Sequence, residues 1–588
     1  MRIVVHREIP DDPELQQQWN ALVQEMDRPE VFYTHQWALA AGRSFGESLS
    51  PLLVLAYEAE KLTGIAALAT DSVLRTASFL AATSADYCDL LGHPRQRAEL
   101  LEAVLEEACR AGMRGIVLTS LPADSATITT LRSAARKRGY YLFQRPNAVC
   151  AQVDLGQPEE RIKLKTALRK KKVFRYSMNV LGREGPVSFC HLASWEEIEP
   201  ALASFGVAHV ARFLAMGRIS NVVSARRRAF LYELARSLAE SGWLVLSRML
   251  VGDRPIAWNY GFQFQGSWFW YQPTFDTAYE RFSPGYCLLS EIVSEACDRA
   301  DTRVVDLGLG AEGYKARFAN NARTTLQVHL TKSLGRHMRE TMRSHAARAV
   351  KSVPWAESAV RAVFGYLGDA GRAVGEGGLL GFAGRVKRHA TSWFSHRQEV
   401  IFYSWKDRPR EKRSQAEMNL QPIDLETLAN AAMIFEDEAD TLSYLLRSAG
   451  RLQTETGSGF AVLDADRIPV HFGWVSDFDG FEMKELKTRL SAPLRDAAMI
   501  FDSWTPRSRR GQGYYGIALS LVAQRVAEAG KEAWIFTAAA NHSSRQGIEK
   551  VGFERKYSLI CRKTFAWQRI AKVAFDGPGP TTEARAGS

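Results

Sequence analysis

Ala497-Ala-Met-Ile-Phe-Asp-Ser-Trp-Thr-Pro-Arg-Ser-Arg-Arg-Gly-Gln-Gly-Tyr-Tyr-Gly516 is the stretch whose reading decides the fold. Its first eight residues are mostly apolar, as in a buried strand. A turn rich in Arg and Gly follows, and residues 517–530 then place apolar side chains at helical spacing. A turn that opens a helix in this way presents free backbone N–H groups and the positive end of the helix dipole. Both suit a pyrophosphate. Gly511 and Gly513 let the backbone come close to a ligand, Arg509 and Arg510 add charge, and Gln512, Tyr514 and Gly516 complete the candidate cradle. The next apolar segment, 533–538, leads to Asn541 and Ser544. A second helix ends at Val551-Gly-Phe553, with Gly552 as its left-handed cap.

The same order of elements occurs twice upstream. Residues 52–68, 244–262 and 459–475 each read as strand, polar turn, strand, the pattern of a hairpin. Helical sequence precedes each. A further strand and a helix of period 3.6 follow each, at 95–112, 285–300 and 514–530. The expectation is an α/β protein with three similar mixed-sheet units. They span 1–155, 156–335 (opening on a basic helix at 159–176) and 398–572. Residues 336–397 form a basic helical connector and 573–588 a tail expected to be disordered.

The 588 residues carry a formal net charge of +11, with 46% hydrophobic and 24% charged residues. That is ordinary globular composition, which excludes wholesale disorder and fibrous classes. The basicity is local. Residues 161–175 hold eight basic residues and no acid, and 332–397 hold twelve basic and four acidic, so the rest of the chain is about −5. This is not the profile of a uniformly basic nucleic-acid binder, and no helix-turn-helix or zinc pattern is visible, so no nucleic-acid partner is expected. In 336–397, aromatic residues such as Trp355, Phe364 and Trp393 alternate with Lys and Arg. Such a segment suits a packed connector, and equally an anionic membrane face.

The first residues lack the apolar core of a signal peptide, and no run of about 18 apolar residues occurs. Seven cysteines are scattered without a CxxC pair. The expected location is cytoplasmic, with a peripheral position at the inner membrane face left open. Neither HExxH nor paired Cys/His spacing is present, so no metal is expected. Gly308-Leu-Gly-Ala-Glu-Gly313 matches GxGxxG, but no Asp or Glu lies between 320 and 339. It reads as a strand-to-loop turn rather than a dinucleotide site.

Residues 398–572 resemble the GNAT acyltransferase superfamily, whose acyl-CoA motif is Arg/Gln-x-x-Gly-x-Gly/Ala after the fourth strand. Arg510, Gly513, Asn541, Gly552 and Phe553 match it. Tyr515 stands where a small residue is usual, with Gly516 one place later. The resemblance implies an acyl-CoA co-substrate, acetyl-CoA first, at 509–516 with Asn541 and Ser544. In that superfamily the helix after Asn541 often carries a Tyr that protonates the leaving thiolate; here Ile548 stands there. Residues 1–335 are similar to the CelD-like acetyltransferases of cellulose and exopolysaccharide biosynthesis. Trp19, Leu22, Phe32, Gln36-Trp37, Asp86-Tyr87, Asp89, Arg169 to Arg175, Phe282-Ser-Pro-Gly285 and the run Asp306 to Lys315 carry that likeness. That family is similar in plan to the Fem peptidyltransferases, in which two GNAT folds pack with substrate between them.

Attack of an amine or hydroxyl on a thioester needs a base near the acceptor and an oxyanion donor. Asp502, Glu482 and Glu485 are the candidate bases. Glu312, Tyr314 and Lys315, just past a strand end, form the candidate acceptor-binding set with Arg169 and Arg175. Three functions remain open at this point. One is an acyltransferase acting on an amine or hydroxyl of a glycan or cell-envelope precursor. Another is a Fem-like aminoacyl or peptidyl transferase. The third is a degenerate acyltransferase serving as a scaffold for polysaccharide synthesis.

Overall fold

The computed structural model describes residues 1–46, 49–310, 312–351, 396–405, 418–454, 457–483, 486, 488–493, 496–564 and 567–575. The candidate base Glu485, residues 352–395 of the connector and the tail from 576 lie outside them. The chain divides into two compact units, Met1–Arg212 with Asn221–Ser352, and Phe213–Ser220 with Val353–Ser588. None of the described helices is long and apolar enough to cross a membrane.

The first unit holds thirteen strands: β1 (Arg2–His6), β2 (Ser50–Glu58), β3 (Lys61–Asp71), β4 (Thr76–Phe79), β5 (Leu91–Gly92), β6 (Gly115–Pro122), β7 (Tyr141–Asp154), β8 (Val187–Leu192), β9 (Leu244–Val251), β10 (Arg254–Phe264), β11 (Ser267–Phe275), β12 (Val304–Leu309) and β13 (Asn321–Thr331). They make one sheet in the order β1-β2-β3-β4-β6-β13-β7-β12-β11-β10-β9-β8, with β5 beside β3. The two halves are therefore joined by exchange. β13, from the end of the unit, pairs antiparallel with β6 of the first half, and β7 pairs antiparallel with β12 of the second. Aromatic rings seal the seam: Trp37 lies 5.4 Å from Phe262 and Phe32 lies 5.4 Å from Phe269, edge to face.

The second unit contains β14 (His396–Trp405), β15 (Asn419–Pro422), β16 (Ser458–Leu463), β17 (Pro469–Asp477), β18 (Glu482–Met483), β19 (Thr488–Arg489), β20 (Ala497–Trp504), β21 (Glu532–Ala538), β22 (Phe553–Thr564) and β23 (Trp567–Ala574). Its sheet runs β15-β16-β17-β20-β21-β14-β22-β23, and β18 and β19 form a separate ribbon. Alternate residues feed opposite faces. Ile401, Tyr403, Ala498 and Ile500 join the helices on one side, while Val400, Phe402, Ala497 and Met499 pack with Phe478 and Leu486 on the other.

All three sequence repeats thus have the same plan. The hairpin is followed by a strand that pairs parallel with the next one: β4 with β6, β11 with β12, β20 with β21. The slot beyond that pair is filled from outside the repeat's own strand order: β13 in the first, β7 in the second, β14 in the third. In the second and third repeats the slot strand precedes the hairpin in sequence, so 141–331 and 396–564 share one chain order.

The basic stretch 159–176 differs from the single helix expected. It forms two helices, Pro158–Lys170 and Lys172–Leu181, broken at Lys171 with φ −60 and ψ 132. Phase explains the break. A straight helix that buries Leu164 and Leu168 would bring Lys171, Lys172 and Arg175 inward next. The break turns Phe174, Met178 and Leu181 inward instead, into the same core as Leu168.

Candidate functional site

In the second unit, β20 and β21 pair only from Ala497 to Ile500 against Glu532 to Ile535. Beyond Ile500 and Ile535 the strands part. A cleft of about 1390 Å³ opens there, lined by Asp502, Thr505, Phe536, Ala538 and the loop residues Arg509 to Gly511 and Gly513 to Tyr515. Asp502 sits at the irregularity that starts the divergence. The β17–β20 register shifts between Phe472/Trp504 and Trp474/Phe501, and Asp502 has φ +45, rare for a residue with a Cβ.

The phosphate-suited loop is built as its sequence requires. Gly511 and Gly513 have φ +80 and +83, and a Cβ at either would meet nothing within 4 Å, so they border open space. Gly513 caps the helix Tyr514–Glu528. The amides of Gly511 to Tyr515 meet no acceptor among the described residues, so they are free for an anion. Arg510 stacks on Trp504 at 5.0 Å and donates from Nε to the Thr505 carbonyl at 3.1 Å, which fixes its direction. Glu438 anchors the loop from behind, accepting from the Arg507 and Ser508 amides at 2.7 and 2.9 Å and from Thr441 Oγ1 at 2.6 Å. Burial works to raise its carboxyl, but the bonds from Thr441, Ser508 and Arg507 outweigh it and hold the group at about 2.

The sequence-predicted residues divide by position. Arg509, Arg510, Gly511, Gly513, Tyr514, Asn541, Ser544, Asp502 and Glu482 all border the cleft. Gln512 turns back to the Ser508 carbonyl, and a Cβ on Gly516 would meet Val551 at 3.6 Å; neither lines the cleft. The Asn541 side chain accepts from the Ser544 amide, capping the helix His542–Val551. Glu482 lies on the β18–β19 ribbon, exposed, rather than on the main sheet. The Asp502 carboxylate forms an ion pair with Arg451.

Two cleft-lining residues escaped the sequence reading. Arg451 and Arg447, four apart on helix Ala439–Thr454, both line the cleft. Tyr515 lines it too, its hydroxyl 2.9 Å from Ser544 Oγ. Burial lifts that phenol to about 12, so it stays protonated. His471, its ring 5.8 Å from that of Tyr515, is fully buried and bonded through Nδ1 to Thr505 Oγ1. Burial pushes it down to about 3, so it is neutral. Ile548 belongs to the core, 0% exposed.

In the first unit the motif residues of the two halves converge. Asp306 Oδ2 accepts from the Tyr87 hydroxyl and from Gln152 Nε2, each at 2.7 Å. Asp86 lies against Gly308, where an added Cβ would come 2.7 Å from its Oδ2. Lys315, 5% exposed, donates to the Leu309 carbonyl at 2.6 Å and pairs with Glu312 at 2.9 Å. Trp270 Nε1 donates to the Tyr314 hydroxyl at 3.1 Å. The basic residues of the helix pair do not join this cluster by any described bond: Arg169 pairs with Glu291 at 3.3 Å, and Arg175 is exposed. Gly308 and Gly310 have φ +70 and +108 and precede a short 3-10 turn, in keeping with a strand-to-loop turn.

Residues 169–316 match the family model described as an acetyltransferase (GNAT) domain. That segment is a GNAT acetyltransferase domain. The match falls on the second repeat, and the cleft lies in the third, which has the same strand order. A domain of this kind supports acyltransferase activity. No curated protein matches its sequence significantly. Among solved structures it is similar to FemX (10% identity, 58% of this chain, 99% of that chain, TM-score 0.40). It is also similar to L-PGS from Bacillus licheniformis (13%, 56%, 96%, 0.36) and to a tandem GNAT protein from the clavulanic acid biosynthesis pathway (14%, 56%, 97%, 0.33).

Proposed function

We propose that the third repeat binds an acyl-CoA, with acetyl-CoA first, in the cleft between β20 and β21. The acyl group then passes to an amine or hydroxyl of a glycan or cell-envelope precursor: the acceptor's N or O bonds to the acyl carbon, the C–S bond breaks, and CoA leaves as its thiol with the acceptor's proton. The observation that carries this reading is the parting of the two parallel strands directly beside a glycine-bounded helix N-terminus. The free amides of residues 511–515 and the Arg509 and Arg510 guanidiniums suit the donor's phosphates. The thioester, when bound, supplies the activated acyl carbon. Asp502, aimed by Arg451, is the base we assign to the acceptor proton. Tyr515, protonated and bonded to Ser544, is a hydroxyl available at the cleft wall. The acceptor class rests on the CelD-like resemblance of residues 1–335. A thermal-shift series with acetyl-CoA tests the donor, and mass spectrometry of amine- and hydroxyl-bearing sugars incubated with acetyl-CoA tests the acceptor. An acetylated sugar supports the reading; transfer to none, with donor still bound, overturns the acceptor class.

A further inference from the structure

The sixteen residues 161–176 are basic by composition, but the fold sorts their charges into two groups. Arg161, Lys165 and Arg169 repeat every four residues along helix Pro158–Lys170 and are consumed by the helix Pro284–Asp298 and the turn after it. Arg161 donates to the Arg299 and Thr302 carbonyls, each at 2.8 Å. Lys165 pairs with Asp298 and Arg169 with Glu291. These contacts satisfy the C-terminal end of a helix, where cations belong.

Lys163, Lys170, Lys171, Lys172 and Arg175 are different. All five are exposed, and among the described residues none has an ion pair. Lys170, Lys171, Lys172 and Arg175 lie at the elbow that the Lys171 break makes, and Lys163 lies two turns before it on the first helix. At the elbow, Lys172, Val173, Arg175 and Tyr176 lie away from the face of the half-buried Phe174 and Met178 and the buried Ser177 and Leu181. Three large apolar side chains stand out among the free cations: Ile162 at 67% exposure, Val173 at 40% and Tyr176 at 57%.

We propose that this elbow is a docking surface for an anionic lipid bilayer. Charge complementarity points to a polyanion, and the protruding Ile162, Val173 and Tyr176 point to a lipid surface rather than to phosphates alone. A purely phosphate-reading face gains nothing from exposed aliphatic groups, whereas an interfacial one buries them below the headgroups. The contact would present the first unit to acceptors held at a membrane, and it stands independently of the donor reading.

The test is co-sedimentation of the full chain with vesicles of phosphatidylcholine alone and of phosphatidylcholine with one-quarter phosphatidylglycerol. Binding is expected only to the anionic vesicles. Lys170→Glu/Lys171→Glu/Lys172→Glu is expected to weaken it by at least about tenfold, and Val173→Ser/Tyr176→Ser by at least about threefold. Circular dichroism melting checks that both variants stay folded, which their exposure favours. Absent binding, or binding unchanged in the triple variant, overturns the proposal. Loss in the triple variant alone, with the apolar variant unchanged, overturns the burial of Val173 and Tyr176 below the headgroups and leaves a contact made by charge alone.

Discussion

The hydroxyl of Tyr515 lies 2.9 Å from Ser544 Oγ, and its ring fills the space left by Gly547, where an added Cβ would come 2.7 Å from Cδ1. One wall of the cleft is thus held by a tyrosine from one helix resting on a glycine of the next. Gly547→Ala is expected to displace the ring and to cost about 1–3 kcal/mol of stability by overpacking. Acetyl-CoA affinity should fall with it. Tyr515→Phe keeps the packing and loses one hydrogen bond, about 0.5–1.5 kcal/mol. Thermal melts of the two variants should rank them in that order.

Ile548 offers a contrast. Its place in the core predicts a loss of about 2–5 kcal/mol for Ile548→Ala. Ile548→Tyr is expected to destabilise by overpacking and not to raise the turnover rate, because the position faces the core rather than the cleft. A faster Ile548→Tyr enzyme would contradict this placement.

Asp502 is the base under the proposed function, and Arg451 positions it. Asp502→Asn should lower kcat by at least about tenfold while leaving donor affinity within about twofold. Asp502→Gly should also relieve the positive φ and melt no lower than the wild type, since such strain costs on the order of 1 kcal/mol. If Asp502→Asn keeps full kcat and Glu482→Gln loses it, the base is on the β18–β19 ribbon.

The first unit carries its own pH signature. Burial, then the neighbouring Asp306, raises the Asp86 carboxyl from 3.8 to about 7, against the opposing pull of Lys315. A carboxyl raised on folding favours the folded state at low pH, and the benefit is lost as pH rises through the folded value. The first unit should therefore be more stable near about pH 5 than near about pH 8, by on the order of 2–3 kcal/mol. Asp86→Asn should reduce that difference in melts taken across the range, leaving the part due to Glu30, whose carboxyl burial raises in the same direction. An unchanged slope would place the titration elsewhere.

Local chemistry was legible in the sequence. Gly511, Gly513 and Gly552 have the positive φ that their turn and cap positions require, and the three hairpins and the helices after them lie where periodicity placed them. What depended on distant partners was not. Strands β7 and β13 alternate like any others, and nothing local says that β13 returns across 199 residues to lie beside β6, Thr331 facing Gly115 at one end and Thr325 facing Pro122 at the other. The phase change at Lys171 was written in the spacing of Leu168, Phe174 and Leu181, but the run of charge hid it. The pairing of Asp502 with Arg451 joins residues from different elements and could be seen only once β20 and helix Ala439–Thr454 were placed together.

Calorimetric titration of the full chain with acetyl-CoA tests the central claim most directly. The wild type is expected to bind one equivalent. Gly513→Glu, which sets a carboxylate where the free amides face the cleft, should abolish binding, and Arg509→Ala/Arg510→Ala, which leaves the backbone undisturbed, should weaken it by about tenfold or more. No heat of binding in the wild type, or equal affinity in the wild type and both variants, would contradict a donor site in the cleft between β20 and β21.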